Sequence, residues 1–136
     1  MPSRLEIMRE FVPQSPLVRH LGIELRSLEP DRAELALPFD ERLAALADVV
    51  HGGAIASLID TAGMAATWAD PDVEPDSVAG ATITLNVEYI AAARGQDLLA
   101  TATVVRRGRS LCFTDVLVTE PDGRIVAKGS VVQRFA

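Results

Sequence analysis

Apolar positions recur along this chain with two different periods, and each change of period marks an element. Leu5, Met8 and Val12 are spaced as on one face of a helix, which predicts a short amphipathic helix over residues 3–12. GIELRSL (22–28) and RAELALP (32–38) alternate instead and read as strands joined at Glu29, Pro30 and Asp31. The helical period returns from about Gly53 to Trp68. DPDVEPDSVAG (70–80) then reads as a solvated acidic connection. Four further alternating runs follow at 81–90, 97–107, 109–119 and 124–135. Their breaks, at Arg94-Gly95, Gly108 and Pro121-Asp122-Gly123, suit short hairpin turns. Two strands, one long helix and four strands in a meander predict an α+β domain with one main helix against an antiparallel sheet. With no repeat, low-complexity tract or linker, residues 1–136 read as a single domain.

The long helix has two unlike faces. At 100° per residue, Ile55, Leu58, Ile59, Ala62 and Ala66 share one side, which is expected to pack on the sheet. Gly53, Ala56, Ser57, Asp60, Gly63 and Thr67 share the other. That second face is small and partly polar but carries no Lys, Arg or Glu of the kind a solvated helix shows. A mid-helix Gly costs about 1 kcal/mol relative to Ala, so Gly63 predicts a close approach, most simply by a second helix. Asp60 is the only formal charge between residues 49 and 69. A mid-membrane Asp would cost roughly 2.5–3.5 kcal/mol, so the segment reads as a buried helix and not as a membrane span.

Composition narrows the function. A net charge of −6 argues against a general nucleic-acid binder. One cysteine, Cys112, leaves no internal disulfide framework and fits a reducing compartment. MPSRLEIMREFVPQ carries Glu6 and Glu10 where a signal peptide would be apolar, so the expected location is cytoplasmic. Two histidines 31 positions apart and a lone cysteine do not make a metal site. Cys112 reads as a small core residue and His20 as a packing or surface residue.

His51-Gly52-Gly53 stands where the long helix begins. Orphan backbone N–H groups and the positive end of the helix dipole suit a developing oxyanion there. Gly52 and Asp60 are eight residues apart, about 12 Å along the axis, so one chain cannot bring both to one carbonyl. Two such helices packed antiparallel about a two-fold near Ala56 would set Gly52 of one chain opposite Asp60 of the other.

The stretch H-G-G-A-I-A-S-L-I-D-T-A-G-M-A resembles the signature of hotdog-fold acyl-CoA thioesterases, in particular the phenylacetate-degradation (PaaI-type) branch. The similarity runs from about Leu17 to Phe135 and includes HLGIEL (20–25), LNVEYI (85–90) and the hairpin at 106–110. It implies a hotdog fold, in which an antiparallel sheet of about six strands wraps one central helix. It also implies homodimers that share one sheet, often paired again into tetramers, with the active site built across the dimer. Residue by residue, it implies that Gly52 donates its amide to the thioester carbonyl and that His51 orders the loop. Asp60 of the facing subunit is then the general base or nucleophile, assisted by Thr82. Coenzyme A is implied as part of the substrate, with no separate cofactor. The chain departs from the pattern at Ala45, where many members carry Asn, and at Ala92, where the family has Pro. The first change removes a polar group that would help orient carbonyl or water.

Around that centre, Gly53, Arg94, Arg107, Arg109 and Ser110, with Arg106, are candidates to hold coenzyme A phosphates at the rim. Alternation sends neighbouring strand residues to opposite faces, so they cannot all do so. Thr82 falls in phase with Thr84 and Asn86 on the polar side of its strand. Met64 and Trp68 read as core or acyl-pocket residues. The alternatives to hydrolysis are a non-catalytic acyl-CoA-binding module, which Ala45 favours, and an enoyl-CoA hydratase or dehydratase. The latter places its His in a differently patterned loop.

Overall fold

The computed structural model describes residues 2–72 and 80–135. The connection expected at 70–80 therefore falls largely outside the described residues. Its first residue, Asp70, is not solvated: it lies half-buried and pairs with Arg4 at 3.4 Å.

The chain opens with α1 (Arg4–Gln14) and α2 (Pro16–Leu21). A capping box starts α1: Glu6 N–H donates to Ser3 Oγ at 3.3 Å, and Ser3 N–H donates to Glu6 Oε2 at 2.8 Å. Leu5, Met8 and Val12 are buried, as their spacing predicts. The second helix, with Pro16 at its start and Gly22 (φ 78°) at its end, is too short to show a period. Strands β1 (Glu24–Glu29) and β2 (Arg32–Leu37) follow, joined through Asp31 (φ 62°). A small hairpin of β3 (Ala44–Leu46) and β4 (Val49–Val50) leads into α3 (Gly52–Trp68). Then come β5 (Gly80–Tyr89), β6 (Leu98–Arg107), β7 (Leu111–Thr119) and β8 (Ile125–Phe135).

Six strands form one antiparallel sheet in the order β1-β2-β6-β7-β8-β5. The expected four-strand meander is corrected to three, because β5 pairs with β8 and leaves β6 to pair with β2. Arg94-Gly95 is the reason. These residues do turn, with Gly95 at φ 60°, but their backbone is committed elsewhere. Val49 bridges Arg94, and Gly95 N–H donates to Asp48 O at 2.8 Å, so residues 90–97 cross the end of the sheet instead of folding back. Thus β5 becomes an edge strand with one side unpaired.

Helix α3 lies across the sheet. Its packing face is the expected one: Ile55, Leu58, Ile59, Ala62 and Ala66 are all buried. The opposite face needs correction. Thr67 is buried and shares a 3.4 Å hydrogen bond with Thr114. A Cβ at Gly63 would lie 2.6 Å from Val131 Cγ2 and 2.7 Å from its Cβ, so the close approach is made by the chain's own β8 and not by a second helix. The partly open stripe is Gly53, Ala56, Ser57, Asp60, Thr61 and Met64.

Gly63→Ala is accordingly expected to destabilise the fold although Ala is the better helix former. Overpacking of this kind costs about 1–3 kcal/mol, against about 1 kcal/mol of helix propensity in the other direction. Urea unfolding should show a lower midpoint for Gly63→Ala, and Gly63→Ala with Val131→Ala should lose less than the two separate effects summed.

Candidate active site

The beginning of α3 is organised by His51. Its backbone N–H donates to Leu43 O at 2.7 Å, and its carbonyl accepts from Ala54 and Ile55. Its Nδ1 accepts from Gly53 N–H at 2.8 Å, which makes His51 the N-cap and leaves Nε2 to carry the ring proton. Among the described residues, the amide of Gly52 then has no partner while those of Gly53 and Ala54 do. Gly53, whose N–H the cap occupies, is thus not free to hold a phosphate through that amide. The Tyr89 hydroxyl donates to Gly52 O at 2.7 Å, and its ring lies 3.3 Å from where a Gly52 Cβ would stand. Tyr89 and His51 therefore grip opposite ends of one peptide unit, the Gly52 carbonyl and the Gly53 amide, and fix the direction of the free N–H beside it.

Two turns along, Asp60 is half-buried on the open stripe. Thr82 Oγ1 donates to Asp60 Oδ1 at 2.7 Å. Gln133, which is 3% exposed, donates its side-chain amide to that same Thr82 oxygen. With its acceptor site taken by an amide that can only donate, the Thr82 hydroxyl is committed as donor to the carboxylate. One oxygen of Asp60 is held in place and the other has no protein partner among the described residues. This is the arrangement a positioned proton acceptor needs.

Thr82 reaches the helix because β5 carries a bulge. The register with β8 shifts between Thr82 and Thr84, and beyond it the phase inverts. Val87 packs on the core, while Asn86 lines a groove on the outer face of the sheet with Thr101, Thr103, Asp115 and Ser130. The expectation that Thr82 and Asn86 share a face is thereby corrected.

The arginines separate. Arg107 is not a rim residue: its guanidinium donates to Thr67 O at 2.6 Å, to Ala66 O at 3.3 Å and to Asp31 at 2.6 Å. It caps the C-terminal carbonyls of α3 with positive charge at the negative end of the dipole. Arg106, Arg109 and Ser110 are exposed around a shallow groove with Val105 and Phe113 at the same end of the molecule. Arg94 sits at the opposite end, beside the entry to α3, and pairs with Asp48 at 3.7 Å. Arg94 and the 106–110 hairpin therefore do not form one patch within a chain. Cys112 is fully buried and His20 is exposed. No metal-ligating cluster occurs among the described residues, and no described helix is long and apolar enough to cross a membrane.

Gln133 and Tyr89 were not singled out by the sequence. Gln133 did leave a signal: it follows the buried Val131 in phase on the inner side of β8, where a polar residue is out of place. Tyr89 falls within the LNVEYI stretch, but nothing there marks its role, because its partner is a backbone carbonyl.

A family model described as the thioesterase superfamily matches residues 47–127. A protein of Halobacterium salinarum named provisionally as an esterase is 36% identical over 119 residues, which span 85% of this chain and 77% of that protein. Human acyl-coenzyme A thioesterase 13 is 28% identical over 136 residues, 95% of this chain and 94% of its own. Among solved structures, zebra fish thioesterase superfamily member 2 superposes with a TM-score of 0.80 at 26% identity, covering 97% of this chain and 95% of the other.

Proposed function

Since the chain belongs to the thioesterase superfamily, whose members support a hydrolase acting on thioesters, we propose that it hydrolyses acyl-CoA thioesters to free acid and coenzyme A. One observation carries this reading. A single unbroken helix presents a free Gly52 amide at its start and, about 12 Å further on, the Asp60 carboxylate braced by Thr82 and Gln133. Each is half of a hydrolytic site, and neither reaches the other within one chain.

The second half comes from a second copy in this proposal. Strand β5 is ten residues long, lies at the edge of the sheet and exposes Ile83, Leu85 and Tyr89. An exposed apolar edge of that length is a template for pairing with another chain. Edge-to-edge pairing of two β5 strands about a two-fold continues the sheet and lays the open stripes of the two α3 helices side by side. Asp60 of one subunit then faces Gly52 of the other. The same proposal extends to a dimer of dimers.

In the reaction, the thioester carbonyl oxygen accepts from the Gly52 N–H, which withdraws charge from the carbonyl carbon. Asp60 takes a proton from water as the water oxygen adds to that carbon. Collapse of the tetrahedral adduct breaks the C–S bond, and the proton held by Asp60 leaves with the thiolate as coenzyme A. Direct attack by Asp60, giving a mixed anhydride that water then opens, uses the same atoms. Coenzyme A enters as part of the substrate, and the reaction calls on no further cofactor. Arg106, Arg109 and Ser110 are the groups left to meet its phosphates, with Arg94 contributed from the other end of a partner subunit.

The test is a panel of CoA thioesters with colorimetric detection of released thiol. Turnover is the expected result. Tight binding of acyl-CoA without thiol release would instead favour a binding module, and loss of enoyl absorbance from crotonyl-CoA would favour a hydratase.

A further inference from the structure

Resting on that reading of Asp60, we propose that Met8 and Phe11 of the N-terminal helix, with Met64 and Trp68 of α3, form a measuring pocket for the acyl group that admits an uncharged apolar chain of about nine heavy atoms. The cavity holds about 280 Å³. Its wall is shared with the catalytic centre, since Thr82 and Gln133 line it and the same Thr82 hydroxyl bonds Asp60. Met64 lies one helical turn beyond Asp60 on the open stripe, so an acyl chain whose carbonyl sits at Asp60 runs directly into the pocket.

Size and chemistry follow from the lining. One water-sized heavy atom takes about 30 Å³, so the groove, which opens to solvent, has room for roughly nine before the chain emerges. Two thioethers and two aromatic rings make the walls, and among the described residues no cation lines them. The two polar groups present are already committed, Gln133 to Thr82 and Thr82 to Asp60. A carboxylate at the far end of an acyl group would be desolvated there without a partner.

The α1 wall is fixed in place. Arg4, 8% exposed, pairs with Asp70 and lies 4.9 Å from the Trp68 ring and 5.0 Å from the Phe135 ring. Burial pushes the Arg4 guanidinium pKa down and Asp70 opposes that shift. Arg9 donates to Leu28 O at 3.0 Å. Met8 is fully buried against this frame, whereas Phe11 is 47% exposed at the mouth.

Two measurements test the pocket separately from the chemistry. In the first, kcat/KM is measured on straight-chain acyl-CoAs of two to sixteen carbons and on succinyl-CoA. It should rise about three- to fourfold per methylene up to about eight carbons and then stop rising, with succinyl-CoA poor. Phe11→Ala, at a half-exposed position that the fold tolerates, should flatten the rise, and Met64→Phe should move the optimum to shorter chains. A profile independent of chain length, or slopes that both variants leave unchanged, would overturn the proposal. In the second, emission of Trp68, the only tryptophan, is followed as Asp60→Asn protein is titrated with octanoyl-CoA or with coenzyme A alone. A shift with octanoyl-CoA and none with coenzyme A supports the pocket even if no thioester is turned over, in which case the hydrolytic reading is what fails. An unchanged emission rules the pocket out regardless of turnover.

Discussion

Replacement of Asp60 by Asn should lower kcat by about 10²–10⁴-fold, the range a positioned general base contributes, and by more if the carboxylate is the nucleophile. The amide keeps the volume of the acid and can still accept from Thr82 Oγ1 at the 2.7 Å separation seen for Oδ1. Folding and pairing should therefore survive, as thermal unfolding and gel filtration would show. KM should change far less than kcat, because the role proposed for the carboxylate is to take the proton and not to hold coenzyme A. Asp60→Asn protein with undiminished turnover would remove Asp60 from the chemistry. A loss accompanied by unfolding would be uninformative, and Asp60→Glu guards against it by keeping the charge while displacing it by one methylene.

Much of this centre can be read from the residue pattern. His51-Gly52-Gly53 ahead of an apolar run announces a helix start with spare amides, and a lone carboxylate on a small-residue stripe stands out against the cost of burying it. The six main strands follow from alternation, each within two residues of its observed limits. What escaped has a common physical character: it depends on contacts between segments distant in sequence. Strand β5 lies next to β8 because residues 93–95 are bonded to the β3–β4 hairpin, a link with no local signature. The bulge that turns Thr82 inward is invisible to a period-2 count. Gly63 announces a close approach, but a glycine does not say what approaches, and in the fold it is Val131. Arg107 has the sequence setting of a phosphate ligand in a basic hairpin, but the C-terminal carbonyls of α3 lie within its reach and take its guanidinium.

The proposal that the site is shared between two subunits can be tested by deleting one hydrogen. Gly52→Pro removes the free N–H while asking little of the backbone. Position N1 of a helix favours proline, and His51 already has the extended conformation (φ −61°, ψ 134°) that a following proline requires. The nearest neighbours of a new Cβ are the ring and hydroxyl of Tyr89 at 3.3 Å, and that side chain is exposed and can shift by a few tenths of an ångström. Loss of one oxyanion donor should reduce kcat by about 10²–10³-fold. The stronger result comes from mixing. Asp60→Asn chains retain a sound Gly52, and Gly52→Pro chains retain a sound Asp60. In a heterodimer with shared sites, one of the two sites receives both sound halves and the other receives neither. Unfolding and refolding the two inactive variants together in equal amounts should make about half the dimers mixed and restore about a quarter of wild-type activity. A site contained within one subunit predicts no recovery at any mixing ratio. Recovery also cannot arise from a simple stabilising contact between subunits, because each variant alone is expected to form the same dimer, which gel filtration checks.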